Sequence, residues 1–147
     1  MVAVTQDNVR TKNGWNTDMV IVPSVLAATA TLRQPLFVAP VNIELGEVAL
    51  VNSTIVTGHG SNTKNLNLID GGAEGAGTAE IANIDMGSGT DLVVGKTLLF
   101  DNIQGASATR YLSQGDILEL EFEQVGSGVL VNPTLAYITW RVANLAS

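Results

Sequence analysis

From Leu118 to Glu123 the chain alternates strictly between apolar and acidic side chains. Leu118, Leu120 and Phe122 share one parity, and Ile117, Glu119, Glu121, Glu123 and Val125 share the other. Successive side chains of an extended strand point to opposite faces, so this alternation predicts a half-buried β-strand over residues 116–125. Gly115-Asp116 opens it and Gly126-Ser127-Gly128 closes it. A further strand is predicted over residues 135–142, where Ile138, Trp140 and Val142 share a parity that places Trp140 in the core. Strands of this kind in close succession predict an antiparallel sheet with one wet face.

Weaker forms of the same pattern recur upstream. Val41, Ile43 and Leu45 share one parity and Val48 and Leu50 the other, so the phase slips at Gly46. A β-bulge there keeps residues 41–51 as one strand, continued briefly at 55–56. Pro35 and Pro40 bracket residues 36–39, and proline lacks a ladder donor, which predicts a short edge strand. Residues 65–69 alternate with Leu66 and Leu68 inward; 78–84 form a weaker strand, and 96–103 a strand with apolar contact on both faces. Residues 24–32 fit either a short helix capped by Ser24 or a strand, with Thr29 and Thr31 favouring the strand. Gly, Asn and Ser turns separate about eight strands, and no long helical period or fixed repeat is visible. The predicted fold is all-β: an antiparallel β-sandwich or jelly roll over residues 23–147 with an N-terminal arm over 1–22.

The arm reading rests on the polar run 1–18, with Asn13-Gly14 as a turn signal and Trp15 isolated among polar neighbours. A polar terminus frays unless something ties it down, so the arm is expected to pack on its own domain or on a neighbouring subunit. Arg10, Trp15, Met19 and Ile21 are the expected contacts, with Trp15 as a buried aromatic anchor.

Composition narrows the function classes. The 147 residues are 46% hydrophobic but only 5% aromatic, so the core must be mostly aliphatic. A net charge of -7, with the cations scattered along the chain, argues against nucleic acid as a partner. With no cysteine there are no disulfides, thiolate nucleophiles or cysteine zinc sites. No signal peptide or membrane-length apolar run is seen, and a protein made in the cytoplasm is expected.

Candidate chemistry is sparse. His59, the one histidine, lies in Gly-His-Gly-Ser-Asn without an elbow motif to present a nucleophile, and reads as a loop residue. Glu119, Glu121 and Glu123 form a carboxylate stripe that could hold calcium or serve as a glycosidase acid pair. A solvated strand face, or a charged face set against a basic partner surface, explains it more simply. Residues 85–91 lack the ligand alternation of a calcium loop, and the glycines at 71, 72, 75 and 77 lack a P-loop ending. Tyr111 and Tyr137 could serve as sugar platforms. No catalytic residue, cofactor or metal ligand is assigned.

The order of segments carries a resemblance. It runs Leu36-Phe37-Val38-Ala39-Pro40, Val48-Ala49-Leu50-Val51, Asn65-Leu66-Asn67-Leu68, Gly115-Asp116-Ile117-Leu118 and Val125-Gly126-Ser127-Gly128, with a short C-terminal strand. Over about residues 35–143 this resembles the jelly-roll or β-sandwich head decoration (cement) proteins of tailed bacteriophages. The resemblance implies a non-enzymatic virion protein on the outer capsid surface, partnered by the major capsid protein and assembled as a homotrimer. Closed three-fold symmetry would set identical arms around one axis. The alternatives are a carbohydrate- or receptor-binding module of a tail or fibre, using loops near His59, 71–77 and 104–113, and a hydrolase using Glu119 to Glu123.

Overall fold

The structure, a computed structural model, describes residues 14–23, 31–52, 55–88, 91, 95, 97–100, 103, 110–128 and 133–143. Nine strands are described: β1 (Asn16–Ile21), β2 (Leu32–Val38), β3 (Ile43–Asn52), β4 (Thr63–Asp70), β5 (Ala79–Asp85), β6 (Thr97–Leu99), β7 (Tyr111–Leu112), β8 (Ile117–Val125) and β9 (Pro133–Val142). They form two antiparallel sheets, ordered β1-β9-β3-β6, with β7 also on β3, and β2-β8-β4-β5. Setting aside the two-residue β7, first pairs with last, second with second-last and so on inward: β1 with β9, β2 with β8, β3 with β6 and β4 with β5. A long hairpin rolled into two sheets gives this order, which is the winding of a jelly roll.

The core lies between the sheets. Leu118, Leu120 and Phe122 of β8 meet Leu66 and Leu68 of β4 on one side, and Leu45, Val48, Leu50, Ala136 and Ile138 close it from the other. Phe37 of β2 and Trp140 of β9 touch across the gap, ring centroids 5.9 Å apart. With few aromatics, aliphatic side chains fill this layer, each contributing about 1.5–3 kcal/mol on full burial.

Several local expectations hold. The β3–β9 register shifts between Leu45 and Val48, as the phase slip at Gly46 requires. Trp15 packs over that bulge: a Cβ on residue 46 would lie 2.5 Å from the Trp15 ring and 2.6 Å from the Thr139 hydroxyl. The Glu47 amide in turn donates to Thr139 Oγ1 at 2.6 Å. β2 is an edge strand that tolerates Pro35, its register with β8 shifting at that point.

Others are corrected. β8 and β9 follow one another in sequence but lie in opposite sheets. Alternation fixes a strand's buried face and not its partner. Residues 16–21, read as part of the arm, pair along their whole length with β9 at the sheet edge, the first of the two packings expected for the arm. The strand expected over 96–103 is described only as Thr97–Leu99. Arg10 and residues 24–30 lie outside the described residues.

Candidate functional site

The expected contacts Met19 and Ile21 sit on the outer face of the β1-β9-β3-β6 sheet. In β1, Asn16, Asp18 and Val20 share the inward parity, and Asp18 accepts the indole N–H of Trp140 at 2.6 Å. Thr17, Met19 and Ile21 therefore face out. The register extends them into two rows: Met19, Tyr137, Ala49 and Leu99, then Ile21, Leu135, Val51 and Thr97. Met19 is 71% and Ile21 78% exposed. Between the rows runs an apolar cleft of about 320 Å³ lined by Met19, Glu47, Val51, Thr97, Leu135 and Tyr137. Single exposed aliphatics are ordinary, but a continuous apolar patch marks an interaction surface.

Sequence reasoning missed the polar end of this face. Glu44 of β3 lies opposite Arg141 of β9 and Tyr111 of β7. Its side chain is only 7% exposed, and Arg110 reaches Oε1 at 2.8 Å while Arg141 reaches Oε2 at 2.7 Å. Trp15 covers the Arg141 guanidinium at 4.8 Å, and Tyr111 covers Arg110 at 5.3 Å. The hydrogen bond to Tyr111 holds the Arg110 pKa above its ordinary value, against desolvation, with help from the Glu44 charge. Trp15 is thus half-buried against its own chain. The signal for this cluster was slight, because Glu44 and Arg141 stand 97 residues apart and only the sheet order joins them.

The carboxylate stripe occupies the outer face of the other sheet, and that face is drier than alternation suggests. Arg33 of β2 pairs with Glu121 at 2.8 Å and approaches Glu119 at 3.5 Å. It also donates to the Gly77 carbonyl at 2.7 Å. Loop 71–77 folds over Glu119, leaving its side chain 10% exposed, and a Cβ at Gly71 would come within 3.0 Å of its carboxylate. Asn67 donates to Glu121 and Glu123 at 3.2 Å each. Burial pushes the Glu121 carboxyl up, but hydrogen bonds from Arg33 and Asn67, with the Arg33 charge, carry it below its ordinary value. Part of the basic counterpart expected from a partner is therefore supplied by the chain's own Arg33.

The remaining candidates are placed as follows. His59 Nδ1 accepts the backbone N–H groups of Ser61 and Asn62 at 3.1 and 3.0 Å, pinning its own loop. Among the described residues no group of three or more His, Asp or Glu could hold a metal ion. No described helix is long and apolar enough to cross a membrane. Comparison of the chain with protein families, curated proteins and solved structures finds no match.

Proposed function

We propose that this chain is a non-enzymatic virion structural protein that binds the outer surface of an assembled phage capsid, with the major capsid protein as its partner and a homotrimer as its working form. Jelly rolls serve viral capsid and lectin domains alike, and a fold alone does not assign a function. The observation that carries the reading is the pair of apolar rows on the β1-β9-β3-β6 face, with Met19 and Ile21 largely exposed. Such a patch suits docking on another protein. The segment resemblance supplies the shell as that protein. Binding a surface that exists only after assembly stabilises the assembled state by mass action.

The test is the copy number of the chain in purified particles, relative to the shell protein, by quantitative mass spectrometry. A ratio comparable to the shell protein supports decoration. A few copies per particle indicate a tail or fibre module instead, and absence from particles refutes the virion reading.

A further inference from the structure

We propose that the cleft beside Arg141 and Tyr111 receives one carboxylate side chain, Asp or Glu, from the protein that docks on the apolar rows of the same face. This rests on reading that face as a protein-binding surface.

The cleft measures about 300 Å³ and is lined by Glu44, Tyr111, Arg141 and Val142. Glu44 already takes hydrogen bonds on both oxygens, Oε1 from Arg110 and Oε2 from Nε and NH2 of Arg141. Two guanidiniums thus share one carboxylate, leaving a local excess of one positive charge in a chain of net charge -7. Arg110 does not line the cleft, and its buried Nε finds no acceptor among the described residues, so it acts on the cleft through its charge. Arg141 NH1 makes no hydrogen bond among the described residues, so its outer edge can take an oxygen in the planar geometry that guanidinium and carboxylate share. Trp15 stacks on the Arg141 guanidinium, which limits its rotamers before binding. One surplus charge matches a monoanion; a dianion would exceed it and feel twice the repulsion from the Glu44 carboxylate.

Continuity with the apolar rows favours a protein as the source. Leu135, Tyr137, Thr139 and Arg141 all project from the outer face of β9, and Arg141 lies four residues beyond Tyr137, about 13 Å at strand rise. That distance falls within one protein–protein footprint. Val142, at the lip of the cleft, is 58% exposed. Arg and Tyr are among the residue types enriched in the buried centres of protein interfaces.

The experiment follows the arginine Nε–Hε resonances of the full chain by NMR during titration with N-acetyl-glutamate N-methylamide. The isosteric N-acetyl-glutamine N-methylamide is the neutral control, and glucuronate represents an acidic sugar. The capped glutamate should shift Arg110 and Arg141 saturably, while Arg33, already held by Glu119 and Glu121, stays in place. The capped glutamine should do nothing. R141Q should weaken binding about tenfold, roughly the value of one charge-assisted contact. E44Q, which removes the competing carboxylate, should tighten it at least about threefold, a gain that a purely structural ion cluster cannot give. No saturable shift, or an equal response to the neutral amide, overturns the site; so does weaker binding in E44Q when hydrogen exchange at Tyr111 and Leu112 shows β7 still paired with β3, the strand contact that Glu44 also supports. Saturation by glucuronate at much lower concentration assigns the cleft to sugars and overturns the protein source. Co-sedimentation with assembled shells separates the two proposals. A chain that binds the capped glutamate but no shell refutes only the capsid reading. Full shell affinity in R141Q removes the cleft from docking.

Discussion

Gly46 shows how much one missing Cβ can organise. Without it Trp15 lies on the bulge, covers Arg141, and leaves Thr139 free to bond the Glu47 amide. G46A must move the indole or the Thr139 hydroxyl, at a cost of about 1–3 kcal/mol. The cost should shrink in a W15A background, because the clash is shared between the pair; urea unfolding of both singles and the double measures that coupling. Glu121 should be visible at acid pH. Its folded pKa lies below its ordinary value of 4.5, so in that window the unfolded chain binds more protons and stability falls as pH drops. Between pH 4.5 and the folded value the wild type should lose stability faster than E121Q, as chemical denaturation across acid pH would reveal. Lys64 is 1% exposed at the end of the core, and burial depresses its pKa below 10.5. Again the unfolded state binds the extra proton, so wild-type stability relative to K64M should rise as pH increases toward 10.5. A flat difference curve would count against that burial.

At the scale of elements, the sequence was legible wherever a local rule acts. The alternation in β8, the phase slip in β3 and the edge position of the Pro35 strand each follow from steric or hydrogen-bonding facts confined to a few residues. β1 was read as arm because Asn16 and Asp18 are polar, yet Asp18 points inward to satisfy the Trp140 indole. A part-buried polar pair breaks the alternation that would have revealed the strand. β7 is two residues long and carries no periodic signal. Met19 and Ile21 could be singled out, but their row partners Tyr137 and Leu135 depend on which strand lies alongside. The Glu44 cluster is hidden for the same reason. Its stability follows from the observed pairing: E44A would leave two guanidiniums facing each other and loosen β7 from β3. We expect a loss of about 1–3 kcal/mol and faster amide exchange at Tyr111 and Leu112, read by hydrogen-exchange mass spectrometry.

The whole molecule has two unlike outer faces. One carries a carboxylate and asparagine network held together by its own Arg33; the other carries two apolar rows ending in a cationic cleft. The second carries Met19 and Ile21, the two most exposed large apolar side chains among the described residues, so the proposed docking on a shell or on sister subunits should depend on it. M19E/I21E tests this cleanly. Both side chains project from the outer face at 71% and 78% exposure, and substitutions so far from the core usually change stability by less than about 0.5 kcal/mol. The double variant should therefore unfold at the wild-type urea midpoint. Two buried charges in an apolar contact are far more expensive than on a free surface, so shell occupancy or self-association should fall at least about tenfold, equivalent to 1.4 kcal/mol. Co-sedimentation with assembled particles and sedimentation velocity of the free chain read the two losses separately. Loss of self-association alone would make the rows a subunit interface, and loss of shell binding alone would make them the capsid contact. If both survive with the fold intact, the apolar face has no part in assembly, and the carboxylate face becomes the place to look.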